Sequence, residues 1–307
     1  MVKKVLITAV ISVGLFANVY NLKPKHITKD ISCVVGDFAP PTKKNKGFVS
    51  NMCYVDMGDS IVVLDAGPTY IFAKEFYNLI KKEYPHKKVS YVILSNYHDD
   101  RTQGASFFKE KGAKIVGGKM INEDIKNNPQ KFERMKHLLS KSVMKGTKVI
   151  KADILAGDGY KIKGSKKTLI ILKPSKVSEE KSDIAIYSPK ESFLFVGNMV
   201  FNGRMLNYTK HSNVDGWIKA LKKLAKLKAK HIAAGHGDDF SANSYKDTLE
   251  YLQLLKKTVQ KGYDDVADPS DIAKNFPENN YKKKNTPFYR QLNLHNIENY
   301  YNQLDRQ

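Results

Sequence analysis

An apolar run, Tyr91-Val92-Ile93-Leu94, breaks without a spacer into a polar knot, Ser95-Asn96-Tyr97-His98-Asp99-Asp100-Arg101. Val92, Ile93 and Leu94 read as a buried strand, too short and too β-branched a run for a helix. Gly104 and the Ala105–Phe108 run behind it read as a helix start. A chain that passes from strand through polar turn to helix is an α/β chain, and in such folds chemistry gathers where strands end. His98 and Asp100, two residues apart on that turn, point into one cleft. Neither group is buried cheaply without a metal or a partner.

The flanking pattern has the same rhythm. Ile31–Gly36 and Asn51–Val55 read as a first pair of strands, Ser60–Leu64 as a third that closes on Asp65-Ala66-Gly67, and Tyr70–Glu83 as a helix with Phe72, Phe76 and Ile80 on one face. After strand 91–95 and helix 105–111 comes a short strand, Lys114–Gly117, so strands and helices alternate as in an α/β layer. Residues 119–146 are a polar helical insertion, with His137 among charges and read as exposed. Strands are expected at Tyr160–Lys163, Thr168–Leu172, Ile184–Tyr187 and Phe193–Phe201, a helix over Trp217–Leu227, and a last strand from His231 ending in Gly235-His236-Gly237. Glycine on both sides lets the backbone turn tightly and opens His236 to the cleft. Residues 241–262 and 292–304 read as amphipathic helices, with an irregular stretch at 263–288 between them.

Asp65, the 96–101 knot, the strand ending at Asn198 and the Gly-His-Gly at 236 stand in the order of the landmarks of the metallo-β-lactamase superfamily, and the chain resembles that family across residues 65–236. The resemblance implies a four-layer αββα sandwich over 30–240, with 241–307 as a helical C-terminal extension packed upon it. It implies metal ligands at His98, Asp100 and His236, with Asp65 as an outer support beneath the knot. It also marks departures. The family's His-x-His-x-Asp-His reads Asn96-Tyr97-His98-Asp99-Asp100-Arg101 here, and Asn in the first place resembles the branch that works with one zinc. The loop at 174–183 has no His, and Glu179 lands closest to the missing one, although two adjacent Glu between lysines also suit a charged surface. Asn198 stands where the family has an acid or a thiolate.

Two functions are open on this resemblance. The first is a metal-dependent hydrolase with one ion, zinc or iron, on Asp100 and His236, completed by Asn198 or His98. There Asn96 orients water or substrate and Arg101 balances the charge of Asp100. The second is a binding protein with a decayed metal site, recognising an anionic ligand or a periplasmic partner with the help of Arg101 and Arg204.

Residues 1–17 carry Lys3 and Lys4, then an apolar run from Val5 to Phe16, and read as a secretory signal with no transmembrane span left once it is cleaved, an uncleaved anchor being the alternative. The expected compartment is the periplasm, and the layout resembles exported family members linked to sulfur oxidation and quinoprotein relays. Cys33 and Cys53 are the only cysteines. On neighbouring strands in an oxidising compartment they are expected to pair, a thiolate ligand or nucleophile being the alternative. The net charge of +21 can draw a small anionic substrate or an anionic surface, a solvated basic surface being the alternative. Nucleic acid is excluded by export and by the lack of any recognition motif.

Overall fold

The computed structural model describes residues 18–306, so the signal segment expected at 1–17 lies outside the described residues. One sheet runs in chain order, β1 (Lys25–Thr28), β2 (Ile31–Val34), β3 (Met52–Asp56), β4 (Ile61–Leu64), β5 (Val89–Leu94), β6 (Lys114–Gly118) and β7 (Ile154–Ala156). It is antiparallel as far as β4 and parallel from β4 to β7. The second sheet is built of β8 (Lys161–Lys163), β9 (Thr168–Leu172), β10 (Ala185–Ser188), β11 (Phe193–Phe201) and β12 (His231–His236), in the order β12-β11-β10-β9-β8. Only β11 and β12 run parallel in it.

Helices cover the outer faces: α1 (Tyr70–Glu83), α2 (Asp99–Thr102), α3 (Ala105–Glu110), α4 (Ile121–Asn127) and α5 (Pro129–Leu138) in the first half, and α6 (Val214–Ala225) in the second. The C-terminal stretch adds α7 (Lys246–Asp264), α8 (Pro269–Lys274), α9 (Asn280–Lys283) and α10 (Tyr289–Leu304).

The side-chain period of two explains the layers. In β4, Ile61 and Val63 pack towards α1 with Phe72, Phe76 and Ile80, while Val62 and Leu64 face the other sheet. A strand buried on both faces has to be apolar throughout, and Ile-Val-Val-Leu is. Ile93 of β5 shares the space between the sheets with Ile171, Ile186, Phe193 and Phe195. On the far side, Trp217 and Leu221 of α6, Tyr251 and Leu255 of α7, and Ile297 and Tyr300 of α10 cover the second sheet. The result is the expected four-layer αββα sandwich with helices added at the C-terminal end.

The differences from expectation are short elements. The stretch 263–288 is not wholly irregular. It holds α8, started by the Asp268 side chain on the Ser270 amide with a proline in the first turn, and α9, started by Asn279 on the Lys282 amide. Each buries one apolar residue, Ile272 or Tyr281, too few for a periodic signal. Strands β1 and β7, at the sheet's two edges, have four and three residues and no alternation to read. The lysines of α6 at 219, 222 and 223 are solvent-exposed. Cys33 and Cys53 lie directly opposite in β2 and β3 and are joined by a disulfide buried between the sheets.

Candidate functional site

The site lies where β4, β5, β11 and β12 end. β4 ends on Asp65, whose φ of +61° is rare for a residue with a side chain and marks a backbone held by its surroundings. The fully buried carboxylate accepts from the Ser95 amide at 2.7 Å, the Ser95 hydroxyl at 2.8 Å and Arg101 Nη1 at 2.5 Å. Burial pushes its pKa up, and Arg101 and Ser95 oppose that shift. Three donors aimed at two oxygens are all used only by the ionised form.

Arg101 is fully buried, which is uncommon for arginine. Beyond Asp65 it donates from Nε to Asn198 Oδ1 at 2.8 Å and from Nη2 to the Gly235 carbonyl at 2.9 Å. One guanidinium therefore ties the end of β4 to β11 and β12. Gly235 is bare because a Cβ there would collide with that guanidinium. A register shift in the β11–β12 pairing on either side of Gly197 turns Asn198 towards the knot. The Asn198 oxygen serves Arg101, and its amide nitrogen lies 2.9 Å from His98 Nδ1.

That contact fixes the tautomer of His98. Arg101 needs an oxygen, so Asn198 must show its NH2 to the ring; His98 Nδ1 accepts, and Nε2–H donates to Glu180 Oε1 at 3.0 Å. Burial opposes charge on the ring, but the carboxylates of Glu179 and Glu180 outweigh it and raise the pKa above the usual histidine value. Protonation would nonetheless set a donor at Nδ1 against the Asn198 amide.

His236, at the end of β12, donates from Nδ1 to the Val49 carbonyl at 2.7 Å, leaving the Nε2 lone pair free. Asn51 braces the same turn by donating to the carbonyls of Ala234 and Gly237 at 3.1 and 2.6 Å. The ring stacks on Phe201, with centroids 4.8 Å apart and planes at 17°. Burial and the charges of Arg204 and Arg101 push its pKa well below the ordinary value, so it is neutral. Asp100 Oδ2 lies 3.8 Å from His236 Nε2. Burial alone would raise the Asp100 pKa, but Arg101, His236, His98 and Arg204 hold it well below the usual carboxylate range. A carboxylate and an imidazole lone pair thus face one point, with 6% and 4% of the two residues exposed.

The remaining wall is acidic. Glu179 and Glu180, which also suited a charged surface, are both buried, at 1% and 3% exposure. It is Glu180, not Glu179, that meets His98. In a turn a one-residue shift reverses the direction of a side chain, which spacing alone does not reveal. Burial pushes the Glu179 carboxyl up to about 8, and its Oε2 has no partner. Arg204 Nη1 is likewise buried without a partner. Asn96 is fully buried and hydrogen-bonded within the protein: its oxygen accepts from the His98 amide at 3.0 Å and its NH2 donates to Asp183 at 3.2 Å. Arg101 acts on Asp100 through space only, its hydrogen bonds going elsewhere. His137 is exposed.

The site therefore gathers His98, Asp100, Arg101, Asn198, His236 and Asp65, as the sequence suggested, and adds Glu180, Val49 and Phe201. A backbone carbonyl and a stacking ring leave no motif. The donors do not fit the zinc that the resemblance implies. A zinc site needs at least three protein ligands. Here the Asn198 oxygen is taken by Arg101 and both His98 nitrogens are engaged; Asp100 Oδ2 and His236 Nε2 remain without hydrogen bonds, as does Glu179 Oε2, which belongs to a carboxyl that burial pushes up to about 8. Among the described residues no group of three or more His, Cys, Asp or Glu is placed to hold a metal.

Comparisons with known proteins agree with this architecture. The family model of the metallo-beta-lactamase superfamily matches residues 45–236. The chain is 27% identical over 239 residues to metallo-beta-lactamase IND-1 of Chryseobacterium indologenes, spanning 72% of this chain and 91% of that protein. It is 22% identical over 209 residues to a type 2 metallo-beta-lactamase of Elizabethkingia meningoseptica, covering 67% and 76% of the two chains. Among solved structures, a metallo-beta-lactamase from Pontibacter korlensis superposes with a TM-score of 0.61 at 19% identity, over 76% of this chain and 99% of that one.

Proposed function

We propose that this chain, which belongs to the metallo-β-lactamase superfamily, is a hydrolase of small anionic acyl substrates whose nucleophilic water is held between Asp100 and His236. The observation that carries the reading is the 3.8 Å gap between Asp100 Oδ2 and His236 Nε2, both acceptors. One water donates a hydrogen to each across such a gap, and its lone pairs then point outward. As that oxygen attacks an acyl carbon, its proton passes to His236 Nε2 and the carbonyl π pair moves onto the carbonyl oxygen; when that pair re-forms the C=O, the bond to the leaving group breaks and His236 Nε2–H gives the proton to the departing atom. The imidazolium formed is stabilised by Asp100 and kept in orientation by Val49 and Phe201. Arg204 Nη1, buried and unpartnered, supplies a donor for the substrate's negative charge. No step is assigned to a metal, because among the described residues no group of three or more His, Cys, Asp or Glu is placed to hold one.

The relatives' names make β-lactams the first substrates to try. The export reading rests on residues 1–17 and is supported by the Cys33–Cys53 disulfide, a bond kept in oxidising compartments.

The test is a hydrolysis screen on the full chain with chromogenic β-lactams and simple esters, with and without a strong chelator. The expected result is activity that survives chelation and falls at least a hundredfold in Asp100→Asn and in His236→Gln. Activity that vanishes on chelation and returns with zinc would overturn the metal-free step while keeping the hydrolase. No turnover of any substrate would overturn both.

A further inference from the structure

A cavity of about 480 Å³ lies outside the candidate site, within the range of small-molecule pockets. It opens where β6, β7 and β9 end. Its walls are Met120, Ala156, Val177 and the aliphatic stems of lysines, so the interior is mostly apolar.

The mouth carries a different chemistry. Lys119, Lys173, Lys176 and Lys181 all line it. The single acid there, Asp158, is already engaged by the Lys173 amide at 2.8 Å and by Lys223 at 3.4 Å. Lys173 is the fixed member of the four. Its ammonium donates to the carbonyls of Lys181 at 2.7 Å and Asp183 at 2.8 Å, which leaves one of its three hydrogens unassigned. The wall from Lys176 to Lys181 belongs to the loop that brings Glu180 to His98.

An apolar chamber rimmed by four cations and one occupied carboxylate selects for charge at one end of a ligand and for hydrocarbon at the other. We infer that this cavity is a binding site for a small amphipathic anion, with an acidic head among Lys119, Lys173 and Lys176 and an apolar body against Met120 and Val177.

Calorimetric titration of the full chain tests this with decanoate below its micellar concentration, beside decyltrimethylammonium and acetate. The variant is Lys119→Glu/Lys176→Glu; both residues are exposed, and circular dichroism checks that the fold is kept. The expected result is saturable one-to-one binding of decanoate, weakened at least tenfold in the variant, with neither control bound. Three results would each overturn the inference: no saturable decanoate binding, undiminished binding by the variant, or equal binding of the cationic amphiphile.

Discussion

At the scale of single residues, the site is organised by Arg101. Its guanidinium has no solvent exposure and binds Asp65, Asn198 and Gly235 at once. Removing one partner of a buried ion pair strands the other, at a cost of about 3–5 kcal/mol. Arg101→Leu is therefore expected to lose about that much stability in urea unfolding, and Arg101→Leu/Asp65→Asn less than the sum of the two single changes. Asp56 gives a pH test away from the site. Burial works against its charge, but Lys87 Nζ at 2.6 Å and the Gly58 amide outweigh that and hold the carboxyl below its usual pKa. A depressed folded pKa contributes stability above the unfolded value, and that contribution is lost as the pH falls through the folded pKa. Asp56→Asn should thus lower the urea midpoint at neutral pH and leave it almost unchanged in strong acid; an equal loss at both would exclude the charge as cause. The role of Arg101 was hidden in the sequence, since an arginine beside an aspartate reads as a charge partner. Its actual partners are 36, 97 and 134 positions away along the chain.

At the scale of elements, the C-terminal helices reach the site through two hydroxyls. Thr248 of α7 accepts from the Phe201 amide at 3.0 Å and donates to its carbonyl at 2.9 Å, and Tyr281 of α9 donates to that carbonyl at 2.9 Å. Phe201 in turn stacks on His236. Thr248→Val leaves a buried amide unmet, a loss of about 1–3 kcal/mol. It should also lower kcat with little change in KM, because the ring it steadies receives the proton. A change in KM alone would mean that the helices act on binding and not on His236. The strands and longer helices were legible because runs such as Ile61–Leu64 and the Phe72, Phe76 and Ile80 stripe carry the periodicity of a buried layer. β7, α8 and α9 were not, having too few residues to show a period. Asp65 and His236 were legible as places because each closes a strand beside a glycine or a turn, and Asp100 because it lies in the polar knot that follows β5. What the sequence did not reveal was occupancy. Whether Asn198 offers its oxygen to an ion or to Arg101, and which of Glu179 and Glu180 meets His98, depends on rotamers and turn direction.

At the scale of the molecule, two sheets share one apolar interior, and the Cys33–Cys53 bond sits inside it. The bond closes a loop of sequence separation 20, for which chain-entropy reasoning gives about 3 kcal/mol. Cys33→Ser/Cys53→Ser should lower the stability to guanidinium by roughly that amount. An unchanged midpoint would show that the interior alone holds β2 and β3. The fold is that of the metallo-β-lactamase superfamily, while among the described residues no group of three or more His, Cys, Asp or Glu is placed to hold an ion. The most direct test of that account is the zinc affinity of the full chain, purified without added metal, measured beside the His98→Ala/Asp100→Ala/His236→Ala variant. The account predicts no stoichiometric metal in either protein and no saturable uptake of micromolar zinc. One tightly held zinc per chain, absent from the triple variant, would contradict it and return the chemistry to the ion.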